Sequence, residues 1–158
     1  MAYALIEIET VVTAPVERCF DLSRSVEVHL RSTAHTRERV VGGVASGLLG
    51  PGDGVTWEAV HLGLRLRLST KISGFERPRW FRDELVRGPL RRLVHDHVFE
   101  PTETGTLMRD RFEFGSWLPP LDAVVLRPHF RRLLLQRNNT IKQLAEAEDW
   151  RGYAFSTP

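Results

Sequence analysis

The sequence is poor in cysteine, since Cys19 is the only one among its 158 residues. A single cysteine excludes a disulfide bond within the chain and a metal centre built from several thiolates. The helical spacing of Val16, Cys19 and Phe20 predicts that the thiol lies on the buried side of a helix.

Long apolar runs are also missing, and none approaches the roughly 20 residues that a transmembrane helix needs. The first ten residues alternate apolar and polar positions and carry Glu7 and Glu9, unlike the apolar core of a signal peptide. We therefore expect a protein without a membrane span, located in the cytoplasm.

The sequence also lacks a large excess of charge of one sign, because it has 22 basic and 20 acidic residues and a formal net charge of +2. Binding of nucleic acid through bulk charge has little support at this balance. Acids such as Asp83 and Glu84 interrupt the arginine-rich stretch 77–92, which favours a solvated outer sheet face over a phosphate-binding patch. We expect no nucleic-acid partner.

A glycine-rich segment at residues 42–54 holds six glycines and one proline. It contains no Gly-Lys-Ser/Thr and no helical pattern follows it, so it is neither a phosphate-binding loop nor a dinucleotide fingerprint. We interpret it as a flexible loop at the mouth of a pocket, with Leu48 and Leu49 as an apolar lip. No cofactor is expected.

The composition, with 42% hydrophobic and 27% charged residues, is that of an ordinary globular protein. We predict one domain over residues 1–151, followed by a loose tail at 152–158. Two short helices are predicted early, one opened by Ala14-Pro15-Val16 and one over residues 25–32.

Short segments with period-two alternation fill the middle of the chain and predict strands. They cover residues 3–13, 37–42, 54–62 and 64–72, and three more follow in the block 71–114. Because the turns between consecutive strands are short, one antiparallel sheet is favoured.

The period changes to 3.6 near the C-terminus, where a long amphipathic helix is predicted over about residues 121–148. Pro128 must start or kink this helix. Its apolar stripe is Leu121, Val124, Val125, Phe130, Leu133, Leu134, Ile141, Leu144 and Ala145. A sheet of about seven strands must curl around the helix to bury both, which predicts an α+β helix-grip fold.

The inward face of the sheet carries polar groups among apolar ones, which predicts a ligand cavity under the helix. His95, His97 and Asp110 share this face with several aromatic residues. The predicted cavity wall is Trp57, His61, Leu66, Phe81, His95, His97, Phe99, Met108, Asp110, Phe112 and Leu134.

Three interpretations of the histidines are compatible with the sequence. Asp110 could accept hydrogen bonds from His95 or His97 in the pocket wall, the face could be solvated, or His61, His95 and His97 could bind a metal ion. We favour the pocket wall and expect no metal, because inner faces of separated strands diverge in a wide cavity.

Several short motifs follow one another in an order that resembles a known protein family. They are Ala14-Pro15-Val16-Glu17 after the first strand, residues 57–63, residues 72–78, Gly88-Pro89, residues 95–101 and residues 105–111. Together they span nearly the whole chain and resemble the START and birch-pollen-allergen-like (SRPBCC) superfamily, in its polyketide cyclase/dehydrase-like, ligand-binding branch. The resemblance implies a deep cavity between sheet and helix, but not one reaction.

Three functions follow as hypotheses. The first is binding of a mid-sized apolar or amphipathic small molecule, by a monomer or a homodimer. The second is a cyclase- or dehydratase-like enzyme in which His95, His97 and Asp110 form a general acid–base set, since no serine has the context of a nucleophile. The third is an interaction module that dimerises through the outer sheet.

Overall fold

The computed structural model describes residues 2–154, and its centre is one seven-stranded sheet in which every neighbouring pair is antiparallel. The strands are β1 (Ala4–Val12), β2 (Arg39–Gly43), β3 (Gly54–His61), β4 (Leu64–Glu76), β5 (Trp80–Arg87), β6 (Arg92–Pro101) and β7 (Thr106–Gly115). They lie side by side in the order β1-β7-β6-β5-β4-β3-β2. The predicted antiparallel sheet of about seven strands is confirmed.

Two short helices connect β1 to β2. Helix α1 (Val16–Ser23) begins directly after Pro15, where the missing N–H of proline costs nothing. Helix α2 (Val26–Ser32) is capped by Ser25, whose hydroxyl accepts a hydrogen bond from the Val28 N–H at 3.3 Å. The glycine-rich loop folds back onto this cap, since the Val26 N–H donates to the Gly47 carbonyl at 3.0 Å.

A long helix, α3, follows β7 and packs against the sheet, chiefly on β1, and against α1 and α2. It comprises Pro119–Leu121, a π-helical turn at Asp122–Leu126 and the regular α-helix Arg127–Ala145. Pro128 lies in the first turn of the regular α-helix, so the predicted start or kink coincides with the end of the π-helical turn. The predicted helix-grip arrangement is confirmed.

Two details of the predicted helix are corrected by the structure. Leu121 and Val124 belong to the predicted apolar stripe but are 38% and 75% exposed, because the wider π-helical turn at Asp122–Leu126 changes the angle between successive side chains and breaks the 3.6-residue period. Buried Asp122 faces inward there instead. The helix also ends at Ala145, earlier than expected, because three of the next four residues are acidic and oppose the helix dipole.

The C-terminal end of the described chain forms one more short helix, α4 (Arg151–Ala154). The predicted boundary of a loose tail at residue 152 therefore falls inside a helix that contacts α1 and α2, and residues 155–158 of that tail lie outside the described residues. Among residues 2–154, no helix is both long and apolar enough to cross a membrane.

The core is divided into apolar clusters with a gap between them. One cluster surrounds Phe20 of α1, which meets Phe81 and Phe99 edge-on at ring-centre distances of 5.4 and 5.3 Å. A second joins the opposite part of the sheet to α3 through Phe112, Phe114 and Leu134. The polar residues predicted on the inner face lie between these two clusters.

Candidate functional site: a cavity with a buried polar end

A cavity of about 170 Å³ lies between the inner face of the sheet and helix α3. Its apolar wall comes from Trp57, Phe81, Phe112, Phe130 and Leu134. The glycine-rich loop contributes Leu49 and Asp53 to its edge.

Seven of the eleven residues predicted from sequence line this cavity: Trp57, His61, Phe81, His95, His97, Phe112 and Leu134. The other four do not, and packing explains their positions. Phe99 and Met108 are buried in the cluster around Phe20 of α1, which occupies that part of the sheet. Leu66 is only half-buried near the end of the β3–β4 hairpin, and Asp110 is buried behind the histidines.

Asp110 is the centre of the buried polar end. Its Oδ1 accepts a hydrogen bond of 2.7 Å from Nε2 of His95, which lies on β6 two residues before His97, the direct partner of Asp110 across the β6–β7 ladder. Its Oδ2 accepts one of 2.5 Å from the side-chain amide of Asn138 on α3. Burial alone would raise the pKa of Asp110, but the hydrogen bond from His95 and the charge of Arg137 hold the pKa well below its ordinary value.

His97 makes a second pair with a carboxylate. Its Nε2 lies 2.7 Å from Oδ2 of Asp83 on β5, and its Nδ1 lies 3.2 Å from Nη2 of Arg137 on α3. A guanidinium can only donate, so in the neutral ring Nδ1 of His97 accepts from Arg137 and Nε2–H donates to Asp83. The same Nδ1 also lies 3.3 Å from Oδ1 of Asp110. Burial would raise the pKa of Asp83, and the bond from His97 lowers it.

Arg137 and Asn138 of α3 connect the buried polar residues to α1 and to each other through hydrogen bonds. Arg137 Nη2 donates to the Ser23 carbonyl at the end of α1 at 3.1 Å, and Nη1 donates to Oδ1 of Asn138 at 2.9 Å. With both histidines neutral, two carboxylates and one guanidinium leave the set with one net negative charge. Within the described residues, Arg18 Nε is the only fully buried side-chain nitrogen or oxygen without a hydrogen bond.

The histidine triad considered for a metal ion is not brought together. Strands β3 and β6 are separated by two strands in the sheet, so His61 lies apart from His95 and His97. Its Nδ1 lies 3.1 Å from Nε2 of His129 on α3 instead. Asp83 takes the place of His61, and its ligand atom lies within 4.8 Å of those of His95 and His97. That the set holds no metal remains a prediction, which stoichiometric zinc in untagged protein would contradict.

A second group of ionisable residues lies at the rim of the cavity. His29 of α2 stacks on Trp57 at 4.2 Å between ring centres, and its Nε2 lies 3.1 Å from Oε2 of Glu38. His61 and His129 join the β3–β4 hairpin to α3 beside them. Burial lowers the pKa of both His61 and His129. The negative charge of Glu38 opposes this shift at His61, whereas His61 and Arg132 add to it at His129.

These shifts predict that acid destabilises the protein from near neutrality. The pKa values of His61, His95 and His129 all lie below the ordinary 6.5, chiefly because burial disfavours the charged ring. The unfolded chain then binds more protons than the folded one, so the free energy of unfolding should fall as the pH drops below about 6.5. It should change little between pH 7.5 and 8.5, where these rings are neutral in both states.

Urea unfolding measured from pH 5 to 8.5 tests this expectation. The lowered pKa values of Asp83 and Asp110 act in the same direction but below pH 3.8, outside that range. Stability that is constant or increases from pH 7 to pH 5 would contradict the assignment of neutral, buried histidines.

Sequence reasoning missed Asp83, His129, Arg137 and Asn138. A signal existed for two of them, because Asp83 shares the inward parity of Phe81 and Arg137 lies three residues after Leu134 on the inward stripe. Charge led us to place Asp83 in a solvated face, whereas the buried hydrogen bond from His97 gives this carboxylate its partner.

The sheet, the long helix and the cavity between them define a helix-grip protein. No known protein-family profile matches the chain, and no curated protein matches it either. Solved structures do match. The Zhui aromatase/cyclase from Streptomyces sp. R1128 has a TM-score of 0.74 at 13% identity and covers 95% of both chains.

Two further structures show the same architecture. The major latex-like protein 151 from Panax ginseng has a TM-score of 0.71 at 11% identity, over 93% of this chain and 100% of that one. The protein TTHA0849 from Thermus thermophilus has a TM-score of 0.67 at 19% identity, over 91% of this chain and 100% of that one. These likenesses confirm the helix-grip fold that the sequence motifs implied, and at such identities they establish the fold alone.

Proposed function

We propose that the protein binds an apolar or amphipathic small molecule in the cavity under α3. The observation that supports this most is that one cavity combines aromatic walls with a buried set of hydrogen-bonding groups. Small-molecule sites combine such apolar surfaces with a few convergent polar groups.

The size of the cavity sets the size of its ligand. At about 170 Å³ it is smaller than the 300–1,000 Å³ typical of drug-sized sites and close to the roughly 150 Å³ that accommodates benzene in an engineered protein cavity. One or two rings therefore fit better than the mid-sized molecule expected from sequence. A ring that buries about 150–250 Å² gains about 4–6 kcal/mol before the costs of binding.

Filling the cavity with protein should abolish binding. Thr70 lines the cavity from β4, so the indole of Thr70→Trp would occupy the ligand volume. Ser73→Trp adds the same indole at an exposed position of the same strand and is the matched control. We expect calorimetric titration with 1-naphthol to give micromolar to millimolar affinity for wild type and the control, and no binding for Thr70→Trp.

Both variants must melt cooperatively for the comparison to count, since overpacking costs about 1–3 kcal/mol. Equal 1-naphthol affinity in all three proteins would place the binding outside this cavity and refute the proposal.

A second candidate, proton-transfer catalysis, is favoured by the His95–Asp110 pair. A neutral imidazole held by a carboxylate is the arrangement of a general base. Its Nδ1 could take a proton from a carbon beside a ketone, giving imidazolium and an enolate, and return it on the reverse step. The fold likeness to the Zhui aromatase/cyclase is compatible with such chemistry.

Deuterium uptake separates this candidate from simple binding. In D2O, an enzyme of this kind should accelerate exchange at the carbon beside the carbonyl of 1-tetralone, and His95→Phe should abolish the acceleration. Exchange at the buffer rate with wild-type protein would leave binding as the function.

A further inference from the structure

One nitrogen of the buried polar end is left without a protein partner. Among residues 2–154, hydrogen bonds engage Nε2 of His95 and both ring nitrogens of His97, but none engages Nδ1 of His95. This nitrogen is not among the fully buried atoms that lack a hydrogen bond. It therefore borders open space, and the open space that His95 lines is the cavity.

The neighbours of His95 determine the role of that nitrogen. Asp110 is an ionised carboxylate, so it accepts, and Nε2 of His95 carries the proton in their 2.7 Å hydrogen bond. In the neutral ring the other nitrogen then holds a lone pair. The cavity thus presents a hydrogen-bond acceptor at its polar end.

Charge at the polar end restricts the ligand further. Asp83 and Asp110 are balanced by Arg137 alone when the histidines are neutral, which leaves one net negative charge at the polar end. A ligand carboxylate would meet repulsion and lose hydration there, because the guanidinium of Arg137 is already engaged by His97, Asn138 and the Ser23 carbonyl. A neutral hydroxyl has neither cost and can donate.

The walls around His95 suit a flat ring. Phe112 meets the His95 ring edge-on at 5.1 Å, and Phe81 stacks on His97 at 4.1 Å. Both phenylalanines line the same cavity as His95, so a hydroxyl on a ligand ring can reach the acceptor while the ring keeps its apolar contacts.

We propose that the ligand is a small phenol of one or two rings whose hydroxyl donates a hydrogen bond to Nδ1 of His95. This inference rests on the proposed binding function and names its ligand class. An aliphatic chain would leave the ring-shaped walls incompletely filled, and a carboxylic acid would meet the buried negative charge.

The shape-matched pair p-cresol and p-xylene tests the inference, because they differ only in a hydroxyl for a methyl group. Calorimetric titration of the wild type at pH 7.5 should give at least tenfold tighter binding of p-cresol. Without an acceptor the order would be reversed, since p-xylene is the more hydrophobic molecule. The 4-methylbenzoate anion should bind at least tenfold more weakly than p-cresol.

His95→Phe keeps a ring and removes the acceptor, so this variant should bind p-xylene more tightly than p-cresol. A spectroscopic measurement covers the case in which that variant does not fold. In wild type, the ¹⁵N resonance of His95 Nδ1 should move toward that of a protonated nitrogen on addition of p-cresol and stay in place with p-xylene.

The outcomes distinguish the phenol assignment from the proposed binding function. Equal or tighter binding of p-xylene by wild type, or an unmoved Nδ1 resonance with p-cresol bound, would overturn the phenol assignment and leave cavity binding intact. Failure of p-cresol, p-xylene and 1-naphthol alike to bind would overturn the proposed function itself.

Discussion

Replacing Asp110 by alanine is expected to lower the free energy of unfolding by about 3–5 kcal/mol, the range for removing one partner from a buried charge network. The carboxylate is 3% exposed, so water cannot replace it. Its loss leaves the Nε2–H of His95 and an N–H of Asn138 without their acceptor, and Arg137 without half of the negative charge around it.

Glu113→Ala is the matched control for this variant. Glu113 lies on the same strand but pairs with Arg92 at the surface, and surface ion pairs contribute about 0–1 kcal/mol. Urea unfolding of both variants at pH 7.5 measures the difference. Similar losses for the two would show that the carboxylate of Asp110 is not the centre of a buried network.

The second large effect is expected from Leu134→Asp, which should cost about 3 kcal/mol or more. Leu134 is 6% exposed in the cluster that holds α3 against β1, β6 and β7. An aspartate there is buried, and the nearby cation Arg137 is already engaged by His97, Asn138 and the Ser23 carbonyl, so the helix must either bury the charge or separate from the sheet.

Leu135→Asp makes the same change one residue later, where the side chain is 45% exposed. Its expected effect is within about 0.5 kcal/mol, as for an ordinary surface substitution. Melting curves for the pair test the orientation of α3. A near wild-type melting temperature for Leu134→Asp, or a larger loss for Leu135→Asp, would show that the buried face was misassigned.

The fold could be predicted from sequence because its signals are local. Alternation in β4 and β7 gives both the strands and their inward faces, and the change to a period of 3.6 marks the helix. Short turns between consecutive strands favour an antiparallel sheet, and its apolar face must pack against the apolar face of the long helix. The π-helical turn was beyond such reasoning, since nothing in the pattern around Asp122 shows one extra residue per turn.

The site could be predicted only in part, because parity gives the face of a strand but not the distance between side chains. His95 and His97 were placed on the inner face, but whether His61 reaches them depends on the number of intervening strands. Arg137 was not predicted as a site residue because a single arginine among the apolar positions of a helix indicates a break in the apolar stripe. Its role requires Ser23 and His97, which tertiary contacts alone bring to it.

Methyl chemical-shift mapping of the protein with 1-naphthol can locate the bound ligand directly. If the ligand binds in the cavity, the shifts should change at methyl groups that line it, such as those of Val55, Leu68 and Leu134, with little change at buried Val12 and Ile8, which lie outside it. Changes confined to exposed residues such as Leu118 and Val124, or none at a saturating concentration, would contradict a ligand-binding cavity under α3.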